Sequence, residues 1–162
     1  MKISTGFLYH IKDEFFELFN DNYLMMNHAG KGKRPVYLAI INEKVLWFVP
    51  LSSKVDKYSG VIKNKINKYG MCNTILIRKI LGKETAVLLQ NAFPCTREFI
   101  DHQHLMNRGI PAKVINTTAK EIENSLRQMI ALREKGKNLF LVDINKILKK
   151  ISEECYQHLT DK

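Results

Sequence analysis

A chain of 162 residues suits a single domain, spanning residues 1–162 and large enough to bury a core without disulfide or metal staples. Hydrophobic residues make up 45% and charged residues 26%, a globular composition that argues against disorder, and no apolar run reaches the length of a membrane span. The formal net charge is +10, and residues 31–83 hold twelve cations against only Glu43 and Asp56, so this one segment carries all of it while the rest is neutral. Charge segregated in this way suits a nucleic-acid partner ahead of an anionic membrane or a charge kept for solubility. Cys72, Cys95 and Cys155 are an odd number without CxxC spacing, and the opening "MKISTGFLYHIKDEFF" has no signal-peptide core. Both features predict a cytoplasmic protein with reduced thiols.

In chain order, "GFLYHI" (6–11) reads as a short strand and "KDEFFELF" as a short helix ending near Asn20. The glycines and charges of "AGKGK" mark a loop. "VYLAII" (36–41) and "VLWFVPL" (45–51) form a β-hairpin across Asn42-Glu43-Lys44, with Pro50 predicting an edge or ending strand. Tyr58, Ile62, Ile66 and Tyr69 recur at helical spacing, with Asp56 as N-cap and Gly70 as C′ residue. "TILIRKIL", Gly82 and "TAVLLQNAF" make a second hairpin, and residues 112–115 suit a further strand. Thr118-Ala-Lys-Glu121 has the pattern of a capping box opening a helix that runs to Gly136. "LFLV" (139–142) reads as a strand, and Asp143 caps a terminal helix bearing Ile147, Leu148, Ile151 and Cys155 on one face. The sum is an α+β domain with a mainly antiparallel sheet or small barrel.

"GKGKRP" (30–35) is not a Walker A loop, because Lys33 is followed by Arg34-Pro35 rather than Ser or Thr, and no helix follows the glycines. His102 and His104 could face one side of a strand as metal ligands, but the set is incomplete and reads as polar surface, with no histidine cluster elsewhere. G-x-S-x-G is absent, which removes the Ser-His-Asp hydrolase reading. What remains is Lys33-Arg34 before the first hairpin strand and Ser52-Ser53 after the second. Antiparallel pairing brings that start and that end together, beside Lys54 and Lys57. Such a cluster suits metal-independent RNA cleavage, in which the substrate 2′-OH attacks the adjacent phosphorus and the protein supplies charge, donors and proton transfer. A solvated basic face with an ordinary Ser-Ser loop is the plainer alternative.

The segment "KRPVYLAIINEKVLWFVPLSS" (33–53) resembles the ToxN/AbiQ family of type III toxin–antitoxin endoribonucleases. In that family a Lys or Lys/Arg pair precedes a strand, a short turn and a second strand ending in P-L-[ST]-S; here Lys33, Pro50, Leu51, Ser52 and Ser53 fall on those positions. "LYHIKDEFFELF" is similar to the family's opening strand and helix through Tyr9, Ile11 and Phe15, and "NLFLVDINKILKK" to its closing strand and helix. Residues 56–115 carry no such likeness. The continuation Ser53-Lys54-Val55-Asp56-Lys57 lacks the family's proline, which leaves open whether Lys54 or Lys57 takes the following basic position and leans toward the CptN-like branch over the ToxN-like one.

The resemblance implies a compact, strongly bent antiparallel sheet with flanking helices, related to the Kid/MazF toxins. It also implies sequence-preferring, metal-free cleavage of single-stranded RNA to a 2′,3′-cyclic phosphate and a 5′-OH, without a cofactor. The implied partners are cellular RNA and a repeat-derived RNA antitoxin, cut by the toxin, retained as a pseudoknot inhibitor and closed with it into a ring-like hetero-oligomer with a role in phage defence. Ser52 and Ser53 would meet the scissile phosphate and 2′-OH, and Lys33 would stabilise phosphorane charge or move a proton. Tyr9 and His10 would stack on bases or move a proton, and Lys31, Arg34, Lys54, Lys57, Lys63 and Lys65 would hold the RNA backbone. A non-catalytic RNA-binding module and a ribonuclease toxin restrained by a protein antitoxin are the alternative readings.

Overall fold

A computed structural model describes residues 1–25 and 34–160, with side chains of the last helix through Glu154. Lys31 and Lys33 therefore lie outside the described residues, as does the side chain of Cys155.

The chain runs β1 (Leu8–Ile11), α1 (Asp13–Phe19), β2 (Pro35–Asn42), β3 (Val45–Ser52), α2 (Val55–Tyr69), β4 (Ile75–Ile80), β5 (Lys83–Leu88), β6 (Phe93–Cys95), β7 (Ile100–Gln103), α3 (Asn116–Glu134) and α4 (Ile144–Thr160). The strands form one sheet in the order β4-β5-β3-β2-β1-β7, with β6 also on β3, and every pairing is antiparallel. The expected α+β class with a mainly antiparallel sheet is the observed one.

Strand β3 is the axis of the sheet. One of its edges pairs with β2 from Val36↔Pro50 to Asn42↔Val45. Its other edge holds β6 at Leu46–Phe48 and then β5 at Leu51–Ser52. Pro50 therefore belongs to a central strand, contrary to the edge or ending strand its lack of an N–H predicts. It is tolerated because it falls between the two partners on that edge, where no ladder bond is required.

The main core gathers Tyr9, Phe15, Phe16, Tyr37, Phe48 and Phe93 with the apolar faces of α1, α3 and α4. Phe93 lies 5.2 Å from Phe15, 6.2 Å from Phe16 and 5.9 Å from Phe48, centroid to centroid, so β6 inserts one aromatic into a cluster of three. Aromatic packing of this kind adds to area burial. A second, smaller cluster of Ile75, Ala86 and Leu88 packs Tyr58, Val61 and Ile62 of α2 onto β4 and β5. Of the four residues whose spacing predicts the α2 helix, Ile66 and Tyr69 remain exposed.

Several local expectations shift. The β2–β3 connection is the two-residue turn Glu43-Lys44, with Glu43 at φ 54°, and Asn42 pairs Val45. The β4–β5 turn is Leu81-Gly82, both at positive φ, a conformation that matches strand twist in two-residue hairpins. Lys54 rather than Asp56 is the N-cap of α2, while Gly70 ends it in the left-handed conformation as expected. Helix α3 starts at Asn116, ahead of the Thr118 capping box, and Thr118 is buried. Residues 139–142 form no strand; Phe140 instead packs on Trp47 and the Leu141 N–H donates to the Gln90 carbonyl. Asp143 does cap α4, its Oδ1 accepting the Lys146 N–H at 3.1 Å. The expected strand at 112–115 appears as backbone bonds from Ala112 and Val114 and a bridge from Lys113 to Phe7.

Candidate active site

Where β2 begins and β3 ends, a cleft of about 490 Å³ is lined by Arg34, Pro35, Leu51, Ser52 and Ser53. The β4–β5 turn closes one side with Leu81, Lys83, Glu84 and Thr85, and Leu8, His104 and Met106 close the other. The antiparallel register explains the meeting. Val36 opposes Pro50, so continuing the ladder sets Arg34 across from Ser52. A cavity of about 510 Å³ between the end of α3 and the start of α4 contains Arg133, Asn145 and Asp143 but neither a hydroxyl nor an imidazole. The chemistry-bearing groups converge on the first.

The two serines differ. Ser52 is buried, and its Oγ accepts the Lys54 N–H at 3.2 Å, which fixes the hydroxyl at the strand end. Ser53 is exposed, and its carbonyl accepts the Val55 N–H at 2.9 Å, turning the chain straight into α2. The N-terminus of a 15-residue helix thus abuts the cleft, and its partial positive charge favours an anion there.

The remaining cations divide by distance from the cleft. Arg34 lines it and also a second cavity of about 420 Å³, which it shares with Lys57, Tyr58, Tyr23 and Asn91. The Lys57 ammonium sits 5.3 Å over the Tyr58 ring. Lys54 and Lys63 are exposed on α2. Lys65 is turned inward: its Nζ donates to Thr74 Oγ1 at 3.0 Å and to Gln90 Oε1 at 2.7 Å, bracing α2 against the sheet. An RNA-holding role for Lys65 gives way to this internal one.

Tyr9 is also not where base stacking needs it. It is fully buried, edge-on to Phe48, and its hydroxyl accepts the Ser4 N–H and donates to the Ser4 carbonyl. Alternation along β1 puts its neighbour His10 on the opposite face.

That face joins His10, already a candidate, to the His102 and His104 pair that the sequence reads as polar surface. His10 pairs with His102 across β1 and β7, and the rings stack at 4.3 Å between centroids. His10 Nε2 lies 2.9 Å from His104 Nδ1. The His102-Gln103-His104 stretch is therefore part of a three-imidazole cluster at the cleft. The i, i+2 spacing of the pair and the strand position of His10 are both visible in the sequence; what it hides is the β1–β7 pairing across some ninety residues. Burial, then the nearby His102, holds the His104 pKa below the usual histidine value of 6.5. Among the described residues no group of three or more His, Cys, Asp or Glu side chains is placed to hold a metal ion.

No family model and no curated protein sequence matches this chain. The architecture itself defines a class, an α+β domain whose seven-stranded antiparallel sheet opens a cleft at the shared end of β2 and β3. A solved structure has that fold: AbiQ, a lactococcal anti-phage endoribonuclease belonging to the type-III toxin–antitoxin system, superposes with a TM-score of 0.71. The match covers 94% of this chain and 99% of AbiQ at 13% sequence identity.

Proposed function

We propose that this chain is an endoribonuclease toxin of a type III toxin–antitoxin system. The observation that carries the reading is the convergence of Ser52, Ser53 and Arg34 in one cleft, within a fold shared along nearly its whole length with AbiQ. The confinement of the net charge to residues 31–83 supports it, because phosphate contacts dominate affinity for RNA.

In this reading the substrate is single-stranded RNA, and its own 2′-OH is the nucleophile. Ser52 and Ser53 donate to the phosphoryl oxygens, with the α2 N-terminus and Arg34 offsetting the charge that builds on the phosphorane. Lys33 precedes Arg34 and adds a second cation to that task. Lys31, Lys54, Lys57 and Lys63 hold the backbone on either side. The products are a 2′,3′-cyclic phosphate and a 5′-OH, formed without a metal ion. The restraining partner is a repeat-derived RNA that the toxin itself cuts and retains in a closed assembly in the cytoplasm, and the system acts against phage.

The purified protein incubated with single-stranded RNA should cleave it equally with and without EDTA, leaving 3′ ends resistant to polyadenylation until the cyclic phosphate is opened and the resulting phosphate removed. Ser53→Ala should slow cleavage by about two to three orders of magnitude with an unchanged melting temperature. Loss of all cleavage on chelation would refute the metal-free chemistry, and RNA binding without any product would make the chain a binding module. The DNA upstream separates the antitoxin types: short tandem repeats favour RNA, a small open reading frame a protein.

A further inference from the structure

The cleft contains one group able to exchange a proton near neutral pH that the proposed chemistry has not used, His104. Its position is set by backbone rather than by a mobile loop. The His104 N–H donates to the Leu8 carbonyl at 2.9 Å, and its own carbonyl accepts the Ala112 N–H at 2.9 Å. Its ring is fixed by the 2.9 Å approach of Nδ1 to His10 Nε2. His10 is itself buried and stacked on His102, and His102 Nδ1 lies 3.0 Å from Asp101 Oδ2. Three imidazoles gathered from β1 and the end of β7 are an expensive way to fill a partly buried face if their only role is packing.

We propose that His104 is the general base of the cleavage reaction, taking the proton of the substrate 2′-hydroxyl on Nε2, and that His10 is the positioning residue that fixes its ring. This inference rests on the endoribonuclease reading. Because Nδ1 faces His10, Nε2 is the nitrogen left for the cleft. In the tautomer in which His104 Nδ1–H donates to His10 Nε2, Nε2 carries the lone pair a base requires. The lowered proton affinity of His104 keeps that lone pair available at neutral pH, and once protonated the ring gains a charge-assisted bond to His10.

In the reaction the 2′-O–H bond breaks and its proton passes to Nε2; the 2′-oxygen forms a bond to phosphorus, and the bond from phosphorus to the 5′-oxygen breaks. Water protonates the departing 5′-oxygen, and the hydroxide left behind removes the proton from His104, restoring the neutral ring. Burial and then His102 lower the proton affinity of His104; the other titratable or charged groups around it are His10 from β1, Asp101 beside His102 on β7, Arg34 just ahead of β2, and Lys83 and Glu84 from β5.

The test measures single-turnover cleavage of a mixed-sequence single-stranded RNA by the full chain, with RNA affinity measured separately. His104→Ala should lower the cleavage rate by about two to four orders of magnitude, with affinity within about threefold. The wild-type rate should rise with pH along an acid limb that His104→Ala lacks, and added imidazole should restore part of the missing rate. His104→Gln should behave like His104→Ala and serves if the alanine variant melts early. His10→Asn should keep more activity than His10→Leu and move the acid limb, which a role in packing alone would not do. At the mapped cleavage site, a 5′-bridging sulfur leaving group should not rescue His104→Ala, because it relieves only a missing acid.

A wild-type chain that cleaves no RNA overturns the functional reading and this inference together. Wild-type cleavage with His104→Ala within about threefold of it, or with its acid limb intact, overturns only the assignment of the base. Rescue by the sulfur leaving group would make His104 the acid instead.

Discussion

The main sheet and the wing built from α2, β4 and β5 are made on different terms. The main sheet, β1, β2, β3, β6 and β7, is covered by α1, α3 and α4 over a core rich in fully buried aromatic rings. The wing's own cluster has three buried residues, Ile75, Ala86 and Leu88, and α2 contributes none. It meets β3 through only two residue pairs, Leu51↔Val87 and Ser52↔Ala86. Yet it carries Lys54, Lys57, Lys63, Lys68, Arg78, Lys79 and Lys83, a large part of the charge that defines the molecule. Packing energy and charge are thus segregated, and Ser52 and Ser53 lie on the joint between the two regions. A surface kept for a polyanion cannot also be a well-packed core, because closely spaced like charges oppose compaction.

The sharpest way to break this division is to damage the core alone. Phe93→Ala leaves a cavity between Phe15, Phe16 and Phe48 and should cost about 3–5 kcal/mol in urea unfolding. Its RNA affinity, measured where the variant is still folded, should not change. The converse damages the wing alone: Lys54, Lys57 and Lys63 changed together to Gln should leave the unfolding midpoint nearly fixed. The same variant should lower the slope of log affinity against log salt by about 0.7 for each phosphate that is no longer neutralised. An unchanged slope would remove these three lysines from the interface.

The smallest effect concerns the tie between the regions. Arg78 on β4 forms a two-pronged ion pair with Glu121 on α3. The hydrogen bond from Arg78 holds the Glu121 carboxyl below its usual value of 4.5. A carboxyl with a depressed folded pKa contributes stability above 4.5 and loses it as the pH falls through the lower folded value. Both side chains are more than a third exposed, so solvent screening limits the pair to about 1 kcal/mol or less. Glu121→Gln should therefore lower stability slightly at pH 7 and make no difference under strongly acidic conditions, as judged by urea midpoints.

The same contrast explains what is readable from sequence. The β2–β3 hairpin, α1 and the Asp143 cap declare themselves locally, through β-branched runs, helical periodicity and a short polar side chain before a helix. Strands β6 and β7, of three and four residues, are too short to show a period. Their existence depends on pairing with β3 and β1, information that lies far off in the chain. The candidate site follows suit. Hairpin geometry alone brings Ser52, Ser53 and Arg34 together, whereas His104 needs β7 to be found first. Tyr9 and His10 both look like site residues in the sequence, but neighbouring strand residues face opposite ways, and only the packing on Phe48 decides which one is core. Lys65 looks like its exposed neighbours because the Thr74 and Gln90 acceptors that capture it come from beyond the helix.

Pro50 has a further consequence. Because it interrupts one edge of β3 between β6 and β5, that edge offers two separate berths instead of one continuous ladder. The outer hairpin can then be lengthened, retilted or exchanged without disturbing the register of the inner strands. The basic wing can therefore change its reach while the aromatic body beneath stays as it is.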